Sequence, residues 1–526
     1  MKKSVTRNEW SSLVLFLAIV LGTFMRFNPT LLAGFAINDG GMFAVMVDDL
    51  RAGNFVLPAF STYNDMSMPF AYPPLGFYVG ALVVEFFGME SVQVVRWVPA
   101  FFASLAIPAF YILALRLLKD KNLASIATLF YAFTPRAFSW LIMGGGLTRS
   151  PGQFFMVLAV AALIRLYEEK RRADIFYAGL FGSLAVLSHP AAAVHVFISA
   201  IWLWIMLSQK RSAFYHSFFV GVIVLILTMP WWLTVMSNHG IEVLLNAAST
   251  GSKSSAVFNL LFFTFTDEHY ATAIAVLGLL GLTHCLIRWD YLLPLWLALP
   301  FLVVGRGAAN LAVIPLAMLA AIGFVNIVLM ALQPGPANAR VEPSRNEAGV
   351  SSVERGAFIG LLLYIVFSTY QFGAQLASAT LYPPDREAMN WVRENTPEVS
   401  RFLVLTGTTS VSCDSVLEWF PALTGRKSLY TVQGTEWTEG KNFNNYVVST
   451  YAVQECLTSG DSSCLDAAVS REEYDFIYLS KLLRVDNCGA LAFQRTFPYF
   501  LENMKSEPQF NIVYETDDVV VYGKDD

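Results

Sequence analysis

Charge is scarce in this chain. Only 14% of its 526 residues are Asp, Glu, Lys or Arg, while 55% are hydrophobic and the mean hydropathy is +0.51. So small a charged fraction excludes an ordinary soluble protein of this size. An excess of basic residues is also missing. The formal net charge is −5, which gives no support for a nucleic-acid partner. No glycine-rich phosphate loop, no repeat at fixed spacing and no low-complexity tract occurs.

What is present is a series of apolar runs of roughly 16–22 residues, the length a helix needs to cross a bilayer. The chain therefore reads as a polytopic α-helical membrane protein. The start, Met-Lys-Lys-Ser before an apolar run, resembles a signal peptide. No small-residue cleavage site follows before the first loop, so the run is expected to stay as the first span.

Basic clusters fall at Lys2/Lys3/Arg7, Arg116/Lys119/Lys121, Lys170/Arg171/Arg172, Lys210/Arg211, Arg288 and Arg340/Arg345/Arg355. Placing all of them on the cytoplasmic side works with about eleven spans. Their centres lie near residues 18, 107, 130, 159, 181, 199, 223, 279, 298, 320 and 364. In this solution Pro74–Phe87 is not a span but a helix in the interface or re-entering the bilayer. The first outer loop then runs over about residues 26–96. The N-terminus is cytoplasmic, and a domain at residues 381–526 lies outside the cell membrane, after a transmembrane domain at 1–380.

That last domain reads as α/β. A helix is expected at Asp385–Asn395 and strands at Phe402–Leu405, Phe476–Leu479, Ile512–Tyr514 and Val519–Tyr522. It holds four of the five cysteines, Cys413, Cys456, Cys464 and Cys488. An even set suits an oxidising compartment and two disulfides, with Cys456–Cys464 plus Cys413–Cys488 preferred among three pairings. Unpaired buried thiols are the alternative. Cys285 falls in a span and reads as ordinary packing. Residues 333–353 read as a polar loop.

The order of motifs resembles a known family. A span is followed by Asn38-Asp39-Gly40-Gly41, an amphipathic helix, Gly53-Asn54-Phe55 and Tyr72-Pro73-Pro74-Leu75. Next come an apolar helix ending in Phe87-Gly88, then Arg96-Trp97-Val98-Pro99 and a span. Over about residues 10–330 this is similar to GT-C fold membrane glycosyltransferases, which include the protein O-mannosyltransferases and the lipid A aminoarabinose transferase. Those families carry Asp-Glu at the start of the first outer loop, a basic residue before Pro-Pro-Leu, and an Arg-Leu-Pro-like motif. Here Gly40 stands for the Glu and Tyr72 for the basic residue. The loop at Leu147-Thr148-Arg149-Ser150-Pro151-Gly152-Gln153 lacks the acid that often follows its Arg. Glu418-Trp419-Phe420-Pro421 and Gln433-Gly434-Thr435-Glu436-Trp437 look like recurring features of related outer domains, with no reaction attached.

The resemblance implies transfer of a sugar from a polyprenyl-phosphate carrier to a glycan, lipid or protein acceptor at the outer face of the membrane, with inversion. Membrane lipid is the surrounding partner and no soluble cofactor is required. The absence of an Asp-x-Asp pair argues against a nucleotide-sugar donor. The chemistry needs a base for the acceptor hydroxyl and cations for the leaving phosphate. Asp39 is the expected base; the plain alternative is an N-cap for the helix at Gly41.

Arg306, Arg149 and His189 are the expected phosphate-binding residues. Interfacial anchoring, a simple turn at Gly144-Gly145-Gly146, and a backbone-bonded histidine are their respective alternatives. Asp48, Asp49, Arg96, Asp65 and His269 are candidates for holding the acceptor or orienting Asp39. A solvated helix face, an interface anchor or helix capping would account for them as well. The long segment Ser237–Tyr270 reads as a lid. No metal site is expected. Two other readings stay open: a ligase or polymerase using a polyprenyl-diphosphate oligosaccharide, and a transporter or scaffold without enzymatic activity.

Overall fold

The fold comes from a computed structural model that describes residues 6–169, 171–208, 211–249, 256–303, 307–332, 351–459, 463–469, 473–482 and 497–525. Its first part is helical. α1 (Arg7–Ala33) starts at a capping box between Thr6 and Glu9 and stops at Gly34, whose φ of 66° breaks the helix. The loop that follows holds α2 (Gly41–Ala52), a two-strand ribbon of β1 (Phe60–Ser61) and β2 (Met68–Pro69), and α3 (Leu75–Phe87). At 13 residues, α3 is about 20 Å long, too short for a hydrocarbon core of about 30 Å.

The bundle continues with α4 (Ser91–Leu118), α5 (Lys121–Phe133), α6 (Gly146–Glu169), α7 (Ala173–Ser188), α8 (Pro190–Leu207) and α9 (Arg211–His239). After α10 (Glu242–Ser249) and α11 (Ala256–Leu261) come α12 (Ala273–Ile287), α13 (Leu292–Val303) and α14 (Ala308–Gly323). A π turn at Phe324–Val328 carries α14 into α15 (Leu329–Ala331), and α16 (Ser352–Leu376) closes the bundle from a second capping box at Ser351 and Glu354. α14 is buried along almost all of its length and forms the middle of the main apolar core with α1, α4, α5 and α6.

All eleven expected span centres lie in helices, but length separates them. Among the described residues seven helices are long and apolar enough to cross alone, and α12 with α13, bent by 118°, passes the same test only as a pair. α5 and α7 stop at 13 and 16 residues. Each ends before a proline: Thr134 before Pro135 and His189 before Pro190 take extended backbone, as the proline ring requires.

The last part is an α/β layer. β3 (Arg401–Leu405), β4 (Lys427–Leu429), β5 (Phe476–Ser480), β6 (Phe510–Glu515) and β7 (Val519–Lys524) form a sheet in the order β4-β3-β5-β7-β6. β3 is parallel to β4 and β5, and β7 is antiparallel to β5 and β6. α17 (Pro383–Asn395) and α18 (Ser415–Thr424) cover one face. α20 (Phe443–Ser459) and α22 (Pro498–Ser506) cover the other. Alternation along the strands sorts the core: Phe402, Val404 and Tyr478 face one side, Leu403, Leu405 and Ile477 the other.

The α17–α18 face does not end at the domain. It shares one continuous apolar cluster with α2, α3 and the start of α4. A disulfide joins Cys456 of α20 to Cys464 of α21 (Ser463–Ala468). Cys413 is also disulfide-bonded, Cys488 lies outside the described residues, and Cys285 is free and buried in α12.

Candidate functional site

Asp39 lies in the short loop between α1 and α2, and that loop is tied down on both sides by backbone contacts. Ile37 pairs as an antiparallel bridge with Thr380, just past α16. The Gly144 amide donates to the Ile37 carbonyl at 3.0 Å. On its other side Asp39 leads into Gly40, whose φ of 129° suits glycine alone. A side chain at Gly40 would meet Val95 and Gly144, so no acid fits at this position.

The carboxylate of Asp39 is held by two donors. Its Oδ1 accepts from the Gly145 amide at 2.8 Å and its Oδ2 from Nη2 of Arg149 at 2.8 Å. Arg149 sits in the first turn of α6, where the chain has just turned sharply through Gly144-Gly145-Gly146. These glycines allow Asp39 itself to come close: a Cβ on Gly144 would lie 1.7 Å from the Asp39 carbonyl oxygen, and one on Gly145 2.4 Å from its Oδ2. The Arg149 guanidinium also donates to the Trp140 carbonyl at 3.3 Å and lies over the Trp140 ring. The pair is partly open, with side-chain exposures of 16% for Asp39 and 22% for Arg149.

A second carboxyl group arrives from the sheet domain. Oε1 of Glu418, in α18, accepts from the Gly40 amide at 2.7 Å, and the Met42 amide also donates to it. Burial raises the Glu418 carboxyl to about 8, with nearby Asp39 adding to the shift and Arg149 opposing it. Trp419 next to it donates from Nε1 to the Asn38 carbonyl at 3.0 Å.

An aromatic wall adjoins the pair. The Tyr72 ring lies 5.2 Å from Phe43 and 6.0 Å from each of Phe77, Trp437 and His189. His189 caps α8: its Nδ1 accepts from the Ala191 amide at 3.1 Å. It lies against Gly152, one turn along α6 from Arg149.

The remaining candidates fall at varied distances from this centre. Arg306 lies outside the described residues. α14, which begins just after it, meets α6 through the Gln153 side-chain amide and the Asn310 carbonyl. Asp49 holds the first loop by accepting from Ser61 Oγ and from the Thr62 hydroxyl and amide. Asp48 accepts from Ser91 Oγ at 2.7 Å and pairs with Arg51. Asp65 is exposed in a turn. Arg96 donates to the Thr30 carbonyl and lies over Trp97. His269 packs on Tyr270 and accepts from Ser368 Oγ through its carbonyl.

In the expected lid, Glu268 caps α12 by accepting from the Ile274 and Ala275 amides, while Asp267 pairs with Arg136. α10 packs against α19 (Thr435–Thr438), and His239 Nε2 lies 2.7 Å from the Ala59 carbonyl oxygen. Among the described residues no group of three or more His, Cys, Asp or Glu could hold a metal ion.

Solved structures share this architecture over nearly the whole chain. ArnT from Cupriavidus metallidurans, bound to undecaprenyl phosphate, aligns with 98% of this chain and 97% of its own at 15% identity and a TM-score of 0.54. The archaeal oligosaccharyltransferase AglB from Archaeoglobus fulgidus, in complex with an inhibitory peptide and a dolichol-phosphate, aligns with 90% of this chain and 69% of its own at 14% identity and a TM-score of 0.54. The arabinofuranosyltransferase AftD from Mycobacteria covers 99% of this chain with 40% of its own, at 13% identity and a TM-score of 0.56.

This is the GT-C fold of membrane glycosyltransferases.

Residues 71–233 of the GT-C chain also match the profile of the dolichyl-phosphate-mannose-protein mannosyltransferase family. That segment contains Tyr72, Arg96, Arg149 and His189 but not Asp39. A comparison with curated protein sequences finds no significant match. Within the GT-C frame, Glu418 is the residue that sequence reasoning left without a role. Its signal was a lone carboxyl in the otherwise uncharged helix Ser-Val-Leu-Glu-Trp-Phe-Pro-Ala-Leu-Thr, where a buried charge is costly and so carries information.

Proposed function

We propose that this protein is an inverting glycosyltransferase that moves a sugar from a polyprenyl-phosphate carrier to an acceptor hydroxyl on the outer face of the membrane. The observation that carries the reading is the Asp39 carboxylate, fixed by Arg149 and the Gly145 amide within a GT-C fold. Asp39 removes the acceptor proton as the hydroxyl oxygen attacks the anomeric carbon. The bond from that carbon to the phosphate oxygen breaks on the opposite side, and the phosphate leaves with the electron pair.

Each Asp39 oxygen spends one lone pair on its donor and keeps another for the acceptor proton. Arg149 has five donor hydrogens, so it can hold Asp39 and still face the phosphate. Arg306 and His189 are the further phosphate ligands in this reading. His189 lies against Gly152 of α6, one turn beyond Arg149, which supports grouping those two residues. The Tyr72 ring and its neighbours offer an apolar wall to a sugar face. The outer placement of the sheet domain and the cytoplasmic N-terminus belong to the same proposal, and rest on the basic clusters and on the disulfide.

The test is mass spectrometry of the purified protein with added undecaprenyl phosphate and with its co-purifying lipids. Specific binding of a polyprenyl monophosphate, weakened in Arg306→Ala, is expected. Asp39→Asn should keep that binding and lose transfer; near-wild-type turnover by this variant would remove Asp39 from the mechanism. Selective retention of a diphosphate oligosaccharide lipid would favour the ligase reading instead.

A further inference from the structure

The transfer step proposed above leaves unused a buried carboxyl group that lies beside Asp39. Glu418 is only 3% exposed. It takes no part in the sheet of its own domain, and instead points across the domain boundary at the start of α2. That helix has Gly40 as its N-cap, with no side chain to receive the first amide hydrogens. Glu418 receives those of Gly40 and Met42. Trp419, the next residue of α18, donates to the Asn38 carbonyl. Asp39 is therefore bracketed, because the residues on both sides of it are tied to consecutive residues of one helix. The Tyr63 hydroxyl, donating to the Glu418 carbonyl at 2.8 Å, fixes that helix in turn.

We propose that Glu418 is a positioning residue for the transfer site: with Trp419 it clamps the backbone around Asp39, so that Asp39 meets Arg149 only when the sheet domain is docked. The proposal rests on Asp39 being the reacting group.

The charges acting on Glu418 are those of Asp39, from the α1–α2 loop, and Arg149, from α6. Neighbouring ionisable groups are engaged elsewhere. On α2, Asp48 is bound by Ser91 and Asp49 by Ser61 and Thr62. On α17, Asp385 accepts from the Tyr478 hydroxyl and Arg386 lies over Phe35. Tyr63 reaches the Glu418 carbonyl, and Glu436 acts on Tyr63. One guanidinium thus serves one carboxylate while Glu418 is neutral, which its elevated range maintains at pH 7. Ionising Glu418 places two negative groups against the single Arg149 and loosens the clamp.

The test uses the full chain in lipid nanodiscs and needs no substrate. Amide hydrogen exchange is followed for the peptide spanning residues 36–44, in the wild type, Glu418→Gln and Glu418→Ala. Glu418→Ala should speed exchange by about tenfold, the effect of losing a buried hydrogen bond. Glu418→Gln keeps a neutral acceptor and should restore protection at pH 7.

Wild-type protection, corrected for intrinsic exchange, should fall as pH passes about 8, where Glu418 ionises. Protection of Glu418→Gln should stay flat. Infrared difference titration should find a protonated carboxyl band at pH 7 that Glu418→Gln lacks. A wild-type exchange profile in Glu418→Gln across this pH range, or the same infrared band in that variant, would overturn the proposal even if the alanine variant does not fold. Failure of lipid binding or of transfer would count against the proposed function and leave the clamp result standing.

Discussion

Asp39 and Arg149, 110 residues apart in sequence, form an ion pair of 2.8 Å between Oδ2 and Nη2. The pair joins the loop after α1 to the first turn of α6. It therefore links the expected base to a residue that the sequence assigned to the phosphate. Under the proposed mechanism one guanidinium would serve both ends of the reaction.

Replacing Arg149 should damage turnover more than binding. Arg149→Gln removes the charge and one donor to Asp39, a loss of about 2–3 kcal/mol, or roughly 30- to 150-fold in rate. Arg149→Lys keeps the charge but loses the planar fork, so it should recover only part of the rate. Transfer kinetics of Arg149→Gln, Asp39→Asn and the double variant should show strong non-additivity. Independent effects of the two changes would argue that they do not act as a unit.

The glycine turn gives a graded pair of variants. A methyl group at residue 144 collides with the Asp39 backbone, 1.7 Å from its carbonyl oxygen. Gly144→Ala is thus expected to lower both the unfolding temperature and activity. At residue 145 the collision is with the ends of the Asp39 and Arg149 side chains. Gly145→Ala should leave unfolding closer to wild type while activity falls, a contrast that thermal scans alongside transfer assays would reveal.

Glu418 also makes stability depend on pH, and the sign follows from its raised range. The unfolded chain ionises this carboxyl near the ordinary 4.5, whereas the folded chain holds its proton until about 8. Its contribution to stability is then fullest below about pH 4.5 and declines as pH rises to about 8, beyond which it is constant. Glu418→Gln should flatten that slope. Thermal unfolding between pH 5 and 9 (about the range in which the two states differ) measures it, and equal slopes in both proteins would contradict the assignment.

The Cys456–Cys464 disulfide closes a short loop, with the two residues 8 apart in sequence. By loop-closure entropy it contributes about 2–3 kcal/mol. Cys456→Ser should lower the stability of the sheet domain by that order without moving Asp39, since Cys456 lies in the core on the sheet face away from α18. Chemical denaturation of the wild type and Cys456→Ser provides the comparison, and a large loss of lipid binding would show coupling between the two faces.

Much of this was readable in the sequence, for physical reasons that differ by element. The apolar runs marked every long helix, but not where Pro135 and Pro190 cut two of them short. Strands β3, β5, β6 and β7 stood out by their β-branched and aromatic residues. β4, with three residues, is too short for periodicity to register. Asp39 and Arg149 were both named from their motifs, but their pairing was not, because a contact across 110 residues is decided by packing. Glu418 stood within a recognisable motif yet had no role until the fold set it beside Gly40.

The bond from Gly40 to Glu418 joins residues 378 apart, and that distance has a consequence in time. At a synthesis rate of about 5–20 residues per second, the loop bearing Asp39 leaves the ribosome roughly 20–80 s before Glu418 does. Over that interval the early helices can enter the bilayer, but the loop waits for its second half. The site is therefore finished late in biogenesis, and a nascent chain cut short before α18 would carry Asp39 without the frame that aims it.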